Sequence, residues 1–265
     1  RRHTRYIGDW SSDVCSSDLR NAVFAAELAA AGMTGPLTVF EGEQGLWNAA
    51  GKFEWPALPA PGGHYRVADS QLKIYPCEYH GQSPIEAMLK IRDRIDIAAV
   101  EKIVVTTYWF AWSEIGSEPE KWNPTTRETA DHSIPFLVSA ALLFGWVDAA
   151  TYAPEKLFDP RLRELMAKVE VIYDKELDKM QPQSVPCRLE VRLKNGERIA
   201  HREQVNLGAA DNPVPDAGIA AKFMGNAELA IGEREAAQLR DMILNVDEIS
   251  DARNLAQALA RSPHR

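Results

Sequence analysis

Apolar positions change their spacing several times along the chain, and each change marks a predicted element. From Arg20, the residues Val23, Phe24, Ala26, Leu28 and Ala30 fall in an alanine-rich helical run that stops at Gly32, with a second pair of breakers at Gly35 and Pro36. Phe40 to Trp47 continues as a helical or turn segment, and 56–63, with three prolines and two glycines, reads as a loop. Ser83-Pro84-Ile85-Glu86 predicts a helix start: serine as N-cap, proline at the first helical position, glutamate at the capping-box site. That helix is expected to reach about Ile97, with Ile85, Met88, Leu89 and Ile95 on its apolar face and Lys90, Arg92, Asp93 and Arg94 on its wet face.

Lys102 to Trp112 is rich in β-branched and aromatic residues and predicts a strand. Ser133 caps a second helix, apolar from Ile134 to Phe144 and ended by Gly145, so burial is expected; Pro160 to Lys168 gives a third helix. Val169 to Tyr173 reads as a short strand. Cys187, Leu189, Val191 and Leu193 then alternate with Arg188, Glu190, Arg192 and Lys194 up to Asn195-Gly196, the strongest hairpin pattern in the chain, with a return strand over Glu197 to Val205. Beyond Pro213 and Pro215 the pattern is helical again, at Asp216 to Met224, Glu233 to Leu244 and Asp251 to Ala260. The order is helix, mixed helix and strand, helix, without an internal repeat.

The first nineteen residues do not fit this scheme, because Ser-Ser-Asp repeats with isolated aromatics follow neither a strand nor a helix period. Ile7 to Leu19 resembles translated sequencing-adapter read-through, the other reading being a disordered tail; both remove 1–19 from the fold. The small residues around the 20–30 helix imply close packing on other helices, so further helices are expected upstream.

Composition narrows the functional classes. With 265 residues, 45% apolar and 26% charged, the chain suits one or two globular domains. A formal charge of −8 and a pI near 5.4, with no basic run, weigh against nucleic acid or an anionic membrane as partner. No apolar run reaches membrane-span length and the N-terminus lacks a secretory signal, so a cytoplasmic location is expected. Cys15, Cys77 and Cys187 form no C-x-x-C pair and the six histidines no H-E-x-x-H, which predicts neither a metal nor another cofactor.

Two stretches carry the candidate chemistry. Lys73 to Glu86 and Arg127 to Pro135 share one design, in which a histidine (His80, His132) sits just before a helix start with a long cation upstream. Helix N-termini expose unpaired N–H groups and partial positive charge, which suits a ligand with several carboxylates. Each residue also has a plainer reading. His80 and His132 can simply cover helix ends, Ser133 is first a cap, Arg127 can pair with Glu128 or Asp131, Lys73 can be solvated, and Tyr75 and Trp112 can be core.

Arg20 to Ala26, Gly32-Met33-Thr34-Gly35-Pro36, Phe40-Glu41-Gly42, Lys73 to Ile85, and Asn123 to Pro135 together resemble the MmgE/PrpD family, the last two stretches its 2-methylcitrate dehydratase branch. The resemblance implies an α+β fold in which an all-helical domain is interrupted by a smaller α+β lid domain, with 20–72 and 209–265 helical and 73–208 the lid. It also implies a homodimer with its active site in the cleft between the domains, and a lyase that dehydrates 2-methylcitrate to 2-methylaconitate in propionate degradation without an iron–sulfur cluster. By the same resemblance Lys73, in a K-x-x-P motif, is a carboxylate clamp or acid/base group and His80 a proton-transfer or orienting group. Gln82, which stands where the family often has histidine, Ser83, Arg127, His132 and Ser133 would bind substrate. Decarboxylation of cis-aconitate and epimerisation of a dicarboxylate are the alternatives on the same fold. The 265 residues alone are expected to be inactive, since upstream helices supply further site residues in the family.

Overall fold

The computed structural model describes residues 13–54, 57, 60, 62–181 and 184–260. They form two compact units, 1–63 and 64–265. In the first, helix α1 (Asp13–Ala30) and the short α2 (Leu46–Ala50) are the regular elements. α1 begins inside the stretch set aside from the fold, because the alanine-rich run propagates backward to Asp13. Residues 1–12, and half of the proline-rich 56–63 loop, lie outside the described residues.

The second unit holds the core. In chain order it contains α3 (Gln82–Ile91), β1 (Val100–Thr107), α4 (Trp109–Ile115), α5 (Arg127–Asp131), α6 (Ile134–Phe144), α7 (Pro154–Leu157) and α8 (Pro160–Met166). β2 (Val169–Tyr173), α9 (Lys175–Asp178), β3 (Cys187–Leu193), β4 (Arg198–Glu203), α10 (Asp216–Ile231), α11 (Glu233–Leu244) and α12 (Ala252–Ala260) follow. The sheet order is β2-β1-β3-β4, with β1 and β2 parallel and the other pairs antiparallel. The parallel pair needs a long crossover, which α4 to α8 supply.

Alternation along the strands decides which face is covered. Ile103 and Val105 of β1, opposite Val191 and Leu189 of β3, are buried on the face over which α3 and α6 pack. Ile85 and Met88 from α3 meet Phe136, Leu137 and Leu142 from α6 in the same core. Burying each such side chain is worth about 1.5–3 kcal/mol. The opposite face carries Lys102, Arg188, Glu190 and Arg192.

α6, β2, the Asn195-Gly196 hairpin and α11 lie where their sequence patterns predict. Others differ, and α10 continues to Ile231 rather than ending at Met224. The predicted strand over Lys102 to Trp112 ends at Thr107, and its aromatic half is α4, whose first amide, Trp109 N–H, donates to Asp178 Oδ1 at 2.8 Å. A distant carboxylate thus caps a helix that local propensity assigns to a strand. α3 starts before its predicted cap, because the chain enters through a 3₁₀ turn (Tyr79–Gly81) whose residues are already helical. Ser83 therefore lies inside the first turn rather than at the N-cap, and Glu86 accepts from Leu207 N–H at 2.7 Å and pairs with Lys90 at 3.0 Å instead of closing a capping box. The helix ends at Ile91 with a 3₁₀ turn (Arg92–Arg94) rather than continuing to Ile97.

Near the start of the mixed segment the chain returns to its other end: Leu72 N–H donates to the Gly208 carbonyl at 2.8 Å. Gly208 has φ +94°, and a Cβ there would lie 2.0 Å from the Leu72 carbonyl oxygen, so only glycine permits this junction.

Candidate active site

The loop from Lys73 to Gly81 is shaped by one buried amide. Gln82 Oε1 accepts from Ile74 N–H (2.9 Å) and Tyr75 N–H (3.1 Å), while Nε2 donates to the Tyr75 carbonyl (2.8 Å) and Cys77 Sγ (3.1 Å). Two acceptor and two donor positions exhaust a glutamine. Gln82, expected to bind a carboxylate, is thus committed to the loop. Ser83 is sealed from solvent with its hydroxyl unpartnered, so it presents nothing to a ligand. Gly81 lets α3 close on α6, since a Cβ there would lie 2.6 Å from Leu137 Cδ1.

His80 emerges from this loop into an aromatic cage. Its ring stacks on Phe110 at 6.3 Å between centroids and meets Tyr108 edge-on at 5.3 Å. Nδ1 is hydrogen-bonded to the Tyr108 phenol. The Glu78 carboxylate accepts the His80 backbone N–H at 2.8 Å and approaches Nε2 at 3.7 Å. Burial, with a smaller contribution from the Lys73 charge, lowers the imidazole pKa below its usual value against the opposing pull of Glu78 and Glu114. Burial raises the Tyr108 pKa, keeping the phenol protonated. A neutral imidazole beside a phenol donor and a carboxylate is best satisfied with Nδ1 accepting from Tyr108 and the proton on Nε2. His80 is then poised as a hydrogen-bond donor at Nε2.

The second loop is organised differently. Thr126 and Thr129 form a reciprocal capping box at the start of α5. Arg127 is exposed and lies over the Tyr152 ring at 5.8 Å, rather than pairing with Glu128 or Asp131. His132 ends α5, its Nδ1 hydrogen-bonded to the Asp131 carboxylate and 3.2 Å from the Glu128 carbonyl. That bond to Asp131 is the main cause of a raised imidazole pKa. Ser133 caps α6, accepting from Phe136 N–H at 3.0 Å, and donates to the Lys121 carbonyl at 2.5 Å. Its hydroxyl is used internally, as the capping reading has it, which leaves the substrate-binding role without a free group.

The two loops meet. Glu78 N–H donates to the Asp131 carbonyl at 3.0 Å, and Tyr152 O–H donates to the Pro76 carbonyl at 2.7 Å. Glu78 acts electrostatically on both histidines, and Lys73 on His80. The structure therefore gathers Lys73, Glu78, His80, Asp131 and His132, with Arg127 behind Tyr152. The open helix ends expected of both loops are not what gathers them. Phe136 N–H goes to Ser133, and Gln82 N–H to the Tyr79 carbonyl within the 3₁₀ turn. Positive character comes from side chains instead.

Tyr108, Glu78 and Lys222 are neighbours that sequence reasoning missed. Lys222, on α10, reaches the Lys73 carbonyl through its Nζ. Glu78 lay within the quoted motif, two positions before His80. Among the described residues no three His, Cys, Asp or Glu side chains cluster as a metal ion requires, and none of the helices is long and apolar enough to cross a membrane.

The chain is 28% identical over 175 residues to 2-methylcitrate dehydratase of Salmonella typhimurium, covering 63% of this chain and 36% of that protein. It is 27% identical over 180 residues to 2-methylcitrate dehydratase of Escherichia coli, covering 65% and 37% respectively. It is 21% identical over 253 residues to cis-aconitate decarboxylase of Homo sapiens, covering 91% of this chain and 50% of that protein. The chain thus spans between about a third and a half of the length of these curated relatives. Residues 75–248, most of the second unit and all of its sheet, match the family described as MmgE/PrpD C-terminal domain, and the chain belongs to the MmgE/PrpD family.

Proposed function

We propose that this chain supplies the lid-side part of the active site of a lyase that removes water from 2-methylcitrate, or a similar tricarboxylate, to give 2-methylaconitate. The observation that carries the proposal is His80, held neutral between the Tyr108 phenol and Glu78 with Lys73 in electrostatic reach. Dehydration takes a proton from the carbon beside a carboxylate and expels hydroxide from its neighbour. With its proton on Nε2, the neutral His80 suits the second event as a hydrogen-bond donor to the departing hydroxyl, stabilising the hydroxide as it leaves; a placed donor of this kind is worth about 10²–10³ in rate. Lys73 would hold a carboxylate and offset the charge that builds on it as the adjacent carbon loses its proton. The relatives named for 2-methylcitrate dehydration support this substrate class.

The reading includes residues 73–208 as a lid inserted into a helical domain, supported by the pairing of Leu72 with Gly208 at the two ends of that segment. It includes a homodimer as well, checked by the mass of the species in solution. Decarboxylation of cis-aconitate is the second reading, favoured by the alignment of the human decarboxylase along 91% of the chain.

The test offers 2-methylcitrate and cis-aconitate to the 265-residue chain and to a form extended to the length of its relatives. The proposal predicts a rise in absorbance from the unsaturated product of 2-methylcitrate with the extended form and none with the 265 residues alone. Carbon dioxide from cis-aconitate would establish the second reading. A folded extended protein that turns over neither compound would contradict both.

A further inference from the structure

Several lysines of this unit pair with a carboxylate. Lys90 lies 3.0 Å from Glu86 and 2.5 Å from Glu203, and Lys102 lies 2.6 Å from Glu170. Among the described residues Lys73 and Lys222, like Lys156, Lys175 and Lys194, form no such pair, and these two are joined to each other by a hydrogen bond. Lys222 is half-buried on α10, its Nζ donates to the Lys73 carbonyl, and among the described residues neither ammonium forms an ion pair with a carboxylate. Burial and, after it, the Lys73 charge both lower the Lys222 pKa. Two ammonium groups are therefore held within mutual repulsion, partly out of water, in a chain with 38 acidic residues against 30 basic ones. Such an arrangement is relieved by an anion placed between the charges. Lys73 also acts on His80, so the same anion would lie beside the imidazole.

We propose that Lys222 and Lys73 form a two-cation clamp for two carboxylates of one ligand, in which Lys222 selects tricarboxylates over dicarboxylates. The inference rests on the reading of Lys73 as a carboxylate clamp and adds a residue from the C-terminal helices, 149 positions further along the chain. Lys73 takes the carboxylate beside the reacting carbon, and Lys222 takes the additional one. A dicarboxylate engages Lys73 alone and leaves Lys222 unpaired. A tricarboxylate neutralises both and gains a second charge-assisted contact.

Tricarballylate and glutarate, non-reacting probes with three and two carboxylates, test the clamp by titration calorimetry on the 265-residue chain and its variants, each first checked for an unchanged near-ultraviolet circular dichroism spectrum. The expected result is that the unaltered protein prefers tricarballylate. Lys222→Met should weaken tricarballylate about tenfold or more and leave glutarate within about twofold, while Lys222→Arg restores the preference. Loss of both ligands to the same extent in Lys222→Met, or of neither, overturns the selective role of Lys222 while binding that still depends on Lys73 (lost in Lys73→Met) leaves the wider functional reading intact. Failure of the unaltered protein to bind either probe overturns the clamp, while the functional reading stands or falls separately on turnover by the extended form.

Discussion

The loops at His80 and His132 look alike in sequence and part company in structure. The first His is caged, with its side chain 21% exposed, and its proton affinity is lowered; the second is 52% exposed and bonded to Asp131, and its proton affinity is raised. A histidine before a helix start is thus not one kind of residue. What surrounds it, here Tyr108 and Phe110 on one side and Asp131 on the other, decides whether it is kept neutral as a hydrogen-bond donor or charged to close a helix end.

The largest difference should appear in turnover. In the form extended to the length of its relatives, His80→Ala should lower kcat about 10²–10³-fold, whereas His132→Ala should leave it within about tenfold. Steady-state kinetics on the two variants check this, and equal losses would erase the distinction between the loops. Tyr108→Phe should have a smaller effect on kcat but move the acid limb of its pH profile, because it removes the donor to Nδ1.

Stability should separate the loops next. Gln82→Leu strands the amides of Ile74 and Tyr75 in a buried site and should destabilise the protein by about 2–3 kcal/mol in urea unfolding. Ser133→Ala removes one cap and should cost about 1 kcal/mol. Arg127→Ala, which loses an exposed contact with Tyr152, should change stability by about 0.5–1 kcal/mol.

The dependence on pH should run in opposite directions. For His80, with a lowered folded pKa, the stabilising contribution is complete above the ordinary value of about 6.5 and is lost as pH falls toward the folded pKa. For His132, with a raised folded pKa, the contribution is complete below about 6.5 and is lost as pH rises through the folded pKa. His132→Ala should therefore destabilise more at pH 5.5 than at pH 8, as measured by urea unfolding at both.

What could be foreseen from sequence was what short-range rules govern. Asn195-Gly196 with its flanking alternation, the Ser133 cap with Gly145 closing α6, and the compact β2 run each specify an element within a few residues. α4 escaped because Tyr108 to Trp112 suits strand and helix equally, and Asp178 tips the balance from far along the chain. The Ser83 capping sequence misled because the preceding 3₁₀ turn had already begun the helix. The site divides in the same way. Lys73 and His80 stand in a recognisable motif, but the phenol that orients His80 is 28 positions away and the second ammonium beside Lys73 is 149 positions away. Pairings at such range follow from the sheet and helix packing, and neither periodicity nor spacing encodes them.

The most direct test of this contrast is a nuclear magnetic resonance titration of both imidazoles in one sample, following the ring nitrogen and carbon shifts of His80 and His132 with pH. The account predicts that His80 titrates below about 6.5, with Nε2 protonated in its neutral form, and that His132 titrates above it. Coincident midpoints, or His80 titrating above His132, would contradict it.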